Sequence, residues 1–246
     1  CIGGVILYDE TIKQNSNSKK TIPELISLSG AVPGIKVDTG AKKLALSKDE
    51  TITEGLDGLR DRLKEYYDLG ARFTKWRGVF KISIKNNLPS IEAIKANAHA
   101  LGRYSALAQE AKMVPIVEPE VLMDGDHDAK TCYQVTKMAL EETFYQLSNS
   151  NVKLDGIILK PNMILSGSSS DKKITVIEEK DDLLIKLSSS RIAAQTSPSK
   201  SLLVINRYFF PAKSCAERGR LGSANGVFFS ALGIVFDSKL VIFLVS

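Results

Sequence analysis

Short apolar runs alternate with longer amphipathic stretches from the start of the chain to about residue 164. The runs Gly4–Tyr8, Gly34–Asp38, Phe73–Ile82, Val114–Pro119 and Gly156–Asn162 have strand length and begin roughly 30 to 40 residues apart. Between them, Glu54–Gly70, Ser90–Lys112 and Asp128–Leu147 repeat their apolar positions at helical spacing. Pro89-Ser90 followed by Glu92 has the form of a helix start. Strands that alternate with helices of this length predict a parallel sheet with crossover helices, because parallel neighbours need a long connection. Five such βα units are visible.

After Lys160-Pro-Asn-Met the pattern stops. SGSSSDKK, SSSR and TSPSKS are rich in Ser and Lys, and no regular alternation resumes before the apolar C-terminus. A boundary is therefore expected near residue 164, between a regular unit at 1–164 and a divergent segment at 165–246. The apolar end, VFFSALGIVF, is interrupted by Asp237-Ser238-Lys239 before LVIFLV. Neither half reaches the roughly 20 residues that span a bilayer, so a hairpin or buried segment is expected and no membrane anchor. The opening CIGGVILY begins inside an apolar run, as a strand cut into would, and is read as a fragment start.

Composition narrows the class without deciding it. The chain has 246 residues, 43% hydrophobic and 25% charged, which fits a globular protein and indicates neither disorder nor a fibrous class. Its net charge of +5 and pI near 9.0 suit anionic partners such as phosphorylated metabolites, nucleic acid or an acidic protein surface. A soluble surface with slightly more Lys than Glu explains the same charge. Cys1, Cys132 and Cys215 are odd in number and far apart, so they encode neither a disulfide framework nor a CxxC metal site. A reducing, cytoplasmic compartment is expected.

Charged residues inside the apolar runs change the picture more. Side chains at i and i+2 of a strand point to the same face. The pairs Lys36 and Asp38, Lys75 and Arg77, Glu118 and Glu120, and Lys160 and Asn162 each sit toward the C-terminal end of a candidate strand. One such pair is most simply a strand-end salt bridge. Four pairs at the same strand position are better explained by a shared cavity, because the C-terminal end of a closed parallel barrel is its catalytic mouth.

The inventory is amines and carboxylates with almost no imidazole. Only His99 and His127 occur, and neither lies in a candidate strand. A metal-assisted carbanion reaction needs clustered His ligands, which this stretch does not supply. His127 within DGDHD resembles an acidic metal loop but is better read as a polar loop ahead of a helix. The other route to a stabilised carbanion is an imine formed by a lysine amine, which must be neutral to attack. Lys75 and Lys160 in one interior could repel each other's charge, while Glu118 and Glu120 would oppose that effect and carry protons.

The blocks CIGGVILYDET, VPGIKVDTG, GLDGLRDR, ARFTKWRGVFKI, VPIVEPEVLMDGDHD and GIILKPNM, in this order, resemble class I fructose-bisphosphate aldolases over about residues 1–164. That resemblance implies an incomplete (β/α)8 barrel of the α/β class, with about five units recognisable. It implies reversible cleavage of fructose 1,6-bisphosphate to dihydroxyacetone phosphate and glyceraldehyde 3-phosphate, with no metal or organic cofactor. Lys160 would form the imine, Glu118 act as general acid and base, and Glu120 support the lysines through hydrogen bonds. Lys75 would assist carbon–carbon cleavage and loss of hydroxide, Lys36 belong to the same charge network, and Arg77 lie near the distal phosphate. The expected partner is a phosphorylated sugar rather than nucleic acid or membrane, with a homotetramer for a complete member.

The departures from the family are specific. Its first barrel strand, which carries an aspartate that pairs with the active-site lysines, would precede Cys1. Its Ser-Gly-Gly and Tyr-Gly-Arg phosphate-binding segments do not occur after residue 164, and the chain ends LVIFLVS rather than in a tyrosine-bearing tail. Gly233–Phe236 echoes only the apolar part of the family's seventh strand. A catalytically inactive chain that serves for binding or as a scaffold is the alternative reading. Another Schiff-base barrel is disfavoured because the KVD, KWR, VEPE and LKPN blocks occur together.

Overall fold

The computed structural model describes residues 2–17 and 19–171, together with the backbone of 231–236 and 239–244. Its main sheet has five parallel strands: β1 (Gly4–Leu7), β2 (Val32–Lys36), β5 (Phe73–Phe80), β6 (Val114–Val121) and β7 (Ile158–Leu159). They lie side by side in that order, each pairing with the next in parallel register. A doubly wound sheet reverses its strand order at a switch point, whereas a barrel wall runs in chain order as here.

Helices fill the crossovers. The short α1 (Asp9–Ile12) and α2 (Ile22–Leu28) join β1 to β2, and α3 (Leu59–Asp68) precedes β5. The long α4 (Ile91–Glu110) and α5 (Ala129–Asn149) flank β6 in sequence. The helix start expected at Ser90 is an N-cap, whose hydroxyl accepts from Ala93 N at 3.1 Å. Asp128 caps α5 in the same way, accepting from Thr131 N at 2.8 Å, so DGDHD lies in the β6–α5 connection.

The strands divide their side chains between two faces. Along β5, Thr74, Trp76 and Phe80 are buried, while Lys75, Arg77 and Val79 between them are only half-buried. Trp76 stacks on Tyr104 of α4 with ring centroids 5.4 Å apart, and the Thr74 and Tyr104 hydroxyls lie 2.8 Å apart. The core is therefore on the helix side of the sheet, where Ile35, Trp76, Val117 and Leu159 meet Leu63, Leu101, Tyr104 and Leu147. Removing these side chains from water drives that packing and leaves the opposite face free for polar groups.

Beyond the short α1 and α2, which the periodicity also did not predict, a hairpin was not anticipated. After β2 the chain turns into an antiparallel hairpin of β3 (Gly40–Lys43) and β4 (Thr51–Glu54) before reaching α3. Buried Glu50 ties the hairpin to the start of α4, accepting from Ser90 N at 2.7 Å and from the Ser90 hydroxyl at 2.8 Å.

The apolar C-terminal segment contains the hairpin that its sequence suggested, β8 (Ala231–Phe236) antiparallel to β9 (Lys239–Leu244). Gly233–Phe236 thus belongs to a separate two-stranded sheet and not to the five-stranded one. The remainder of the segment from residue 172 onward, and with it most of the expected 165–246 unit, lies outside the described residues. Residues 167–169 fold back on the β6–α5 connection: Gly167 N donates to His127 O, Ser168 N to Met123 O and Ser169 N to Gly125 O, at 2.8 to 2.9 Å.

Candidate active site

The polar face of the sheet gathers charge by register. Lys36 is opposite Lys75, and Arg77 is opposite Glu118. Gly34 leaves room on this face for the Phe73 ring, because a Cβ there would come within 2.3 Å of it. Three adjacent strands thereby aim their charged residues into one region.

Glu118 is at its centre, with its side chain 2% exposed. Its Oε1 accepts from Lys160 Nζ at 2.5 Å and its Oε2 is 3.0 Å from Lys75 Nζ. A carboxylate this deeply buried needs charge partners, and the two amines supply them. Lys160 reaches the site from the residue after β7, its own N–H continuing the ladder to Val117 O at 2.8 Å.

Lys36 and Asp38 form their own ion pair beside this cluster. Lys36 Nζ also donates to Asp38 O at 3.1 Å, and Asp38 Oδ1 accepts from Gly40 N at 3.0 Å. Arg77 is paired with Glu120 on the neighbouring strand. That hydrogen bond, more than burial opposes it, holds the Arg77 guanidinium above its ordinary pKa. Lys81, the residue after β5, pairs with Asp49 of the β3–β4 turn. A cavity of about 370 Å³ lies between that turn, Arg77, Lys81 and the start of α4.

Asn162 does not join the cluster. The chain leaves β7 after Leu159, so the alternation that would have put Asn162 on the face of Lys160 no longer applies. Its side chain instead accepts from Val121 N at 3.0 Å and donates to the Thr136 hydroxyl at 3.0 Å, fastening the end of β6 to α5. The sequence reading also passed over Thr53 and Asn97, which join β4, β5 and α4 by hydrogen bonds. Asn97 carried a usable signal, a polar residue on the apolar stripe with Ala93, Ala100 and Leu101.

Neither histidine belongs to the site. His99 is exposed on α4, and His127 is buried in the β6–α5 connection. Among the described residues no group of three or more His, Cys, Asp or Glu side chains is arranged to hold a metal ion. No described helix is long and apolar enough to cross a membrane.

The family model for class I fructose-bisphosphate aldolase matches residues 1–188. The chain belongs to the class I fructose-bisphosphate aldolase family. Its aldolase relatives include a probable class 1 enzyme of Xanthomonas axonopodis pv. citri, 50% identical over 189 residues, or 77% of this chain and 56% of that protein. Cytosolic fructose-bisphosphate aldolase 6 of Arabidopsis thaliana is 49% identical over 172 residues, 70% of this chain and 48% of that one. The chain thus spans about half the length of the curated aldolases it matches.

A solved fructose-bisphosphate aldolase from Plasmodium falciparum superposes with a TM-score of 0.69 at 41% identity, covering 71% of this chain and 50% of its own. The five parallel strands and their helices are accordingly part of an aldolase (β/α)8 barrel.

Proposed function

We propose that the protein carrying this chain is a lyase that cleaves fructose 1,6-bisphosphate reversibly into dihydroxyacetone phosphate and glyceraldehyde 3-phosphate. The observation that carries the reading is Glu118, buried between the amines of Lys160 and Lys75. Such a carboxylate can take a proton from one amine while the other keeps its charge compensated.

Lys160 Nζ, as the neutral amine, attacks the ketone carbon C2 and forms a carbinolamine. A proton from the Glu118 carboxyl lets the C2 hydroxyl leave as water, giving an iminium ion, while the Lys75 ammonium stabilises the departing oxygen by charge and hydrogen bonding. A base takes the C4 hydroxyl proton, the C3–C4 bond breaks, and its electron pair moves into the iminium to give an enamine. Glyceraldehyde 3-phosphate departs, the enamine is protonated at C3, and hydrolysis frees dihydroxyacetone phosphate and Lys160. Glu118 can alternate between acid and base in these steps because it is within hydrogen-bond reach of Lys160 Nζ.

The surrounding residues have supporting parts. Lys36 contributes positive charge beside Lys75, its own charge set against Asp38. Arg77 binds the distal phosphate, and Glu120 orients Arg77 until the phosphate arrives. Family membership further supports a cytoplasmic enzyme of glycolysis and gluconeogenesis, acting on phosphorylated sugars and assembling as a homotetramer when complete.

The test is a coupled cleavage assay on the full chain and its Lys160→Met variant. Turnover of the bisphosphate that vanishes in the variant supports the reading. A folded chain without turnover favours the binding or scaffold role, and turnover that survives the substitution rejects the imine mechanism.

A further inference from the structure

We infer that Thr53, on the β4 strand of the hairpin, is a positioning residue that sets Arg77 for the distal phosphate of the substrate. The inference rests on the proposed role of Arg77 and adds the device that holds it.

The need for such a device follows from where β2 stops. In a parallel sheet, residues two apart on a strand turn their backbone groups to the same neighbour. Lys75 O accepts from Val37 N at 3.1 Å, so the next carbonyl on that side of β5 belongs to Arg77. By then the chain of β2 has turned away at Asp38 toward the hairpin, and no ladder N–H is there to meet Arg77 O. A carbonyl left without a partner in the interior loses its water hydrogen bonds with nothing to replace them, which is unfavourable.

Thr53 fills the gap with a side chain. Its hydroxyl donates to Arg77 O at 2.7 Å, and the residue is 3% exposed. Thr53 is itself held by Asn97 of α4, 1% exposed, whose Oδ1 accepts from Thr53 N at 3.1 Å. The Asn97 amide donates to Thr51 O at 2.9 Å and to Ala93 O at 3.0 Å, so every polar atom of that side chain is committed. A continuous path of buried hydrogen bonds thus runs from α4 through β4 to the peptide of Arg77.

That path acts at one end of the substrate only. The imine end is built on Glu118, Lys75 and Lys160, whose contacts do not pass through the hairpin. Loosening the Arg77 peptide therefore affects capture of the distal phosphate and leaves the ketose end alone.

The experiment measures binding of fructose 1,6-bisphosphate and of fructose 1-phosphate, which lacks the distal phosphate, to the full chain by calorimetry. Thr53→Val keeps the branched shape and removes the hydroxyl, and Thr53→Ser keeps the hydroxyl. The expected result is a Kd for the bisphosphate raised roughly fivefold in Thr53→Val, restored in Thr53→Ser, with the Kd for fructose 1-phosphate unchanged in both. If Thr53→Val does not fold, as judged by circular dichroism, Thr53→Ala takes its place. Equal weakening of both ligands, or no weakening of either, overturns the inference while leaving the aldolase reading intact. A wild-type chain that binds neither ligand removes the aldolase reading and this inference with it.

Discussion

Glu118 Oε1 lies 2.5 Å from the Nζ of Lys160, a contact between a carboxylate buried at the centre of the charge cluster and an amine just past the end of the next strand. Two β-strands of unequal length bring them together, since β6 runs to Val121 while β7 stops at Leu159.

If Glu118 moves the protons of imine formation, Glu118→Gln keeps the shape of the site and removes the chemistry. The expected loss in kcat is about 10²- to 10⁴-fold, with the far-ultraviolet circular dichroism of the wild type. A loss below tenfold would assign the proton transfers elsewhere.

Arg77→Ala separates the two ends of the substrate. The KM for fructose 1,6-bisphosphate should rise about tenfold or more, as expected for losing a charge-assisted hydrogen bond, while kcat/KM for fructose 1-phosphate stays within about twofold. An equal fall for both substrates in steady-state assays would place Arg77 in the chemistry rather than in phosphate binding.

His127 predicts a pH dependence of stability. Burial pulls its pKa below the ordinary value of about 6.5, against the opposing pull of Asp126 and Asp128. The folded state keeps the ring neutral, so as pH falls through about 6.5 the unfolded state takes up the proton first and stability declines toward the lower folded pKa. Urea midpoints measured from about pH 7.5 to 5.5 should fall more steeply in the wild type than in His127→Gln. Parallel slopes in the two proteins would contradict this.

Gly102 marks a close approach of α4 and α5. A Cβ there would come within 2.7 Å of Gln146 O, a backbone atom that cannot rotate away. Gly102→Ala should therefore destabilise the chain by about 1–3 kcal/mol in urea unfolding, despite the better helix propensity of Ala. A more stable variant would mean that the helices separate at no cost.

The legible parts of the sequence were those with strong periodicity. VPIVEPEV and FTKWRGVF carry both an apolar face and an interrupting charge, so β5, β6 and the gathering of their charged residues on one face could be read from spacing alone. The β3–β4 hairpin could not, because GAKK is largely exposed and has no alternation to detect. Its role comes from long-range hydrogen bonds that join Thr53 to Arg77 and to Asn97, 24 and 44 positions away, which no local pattern links. The α2 helix did announce itself, through the Thr21 and Glu24 capping box, but its few residues fell below the length at which periodicity speaks. Asn162 shows the converse, a spacing rule that failed because the strand ended three residues earlier than the apolar run suggested.

The most direct test of the central claim is covalent trapping. The full chain, incubated with dihydroxyacetone phosphate and reduced with borohydride, should carry one adduct, and peptide mass spectrometry should map it to Lys160. An adduct on Lys75 instead, or none in a chain that still cleaves the bisphosphate, would contradict the assignment of Lys160 as the imine-forming residue.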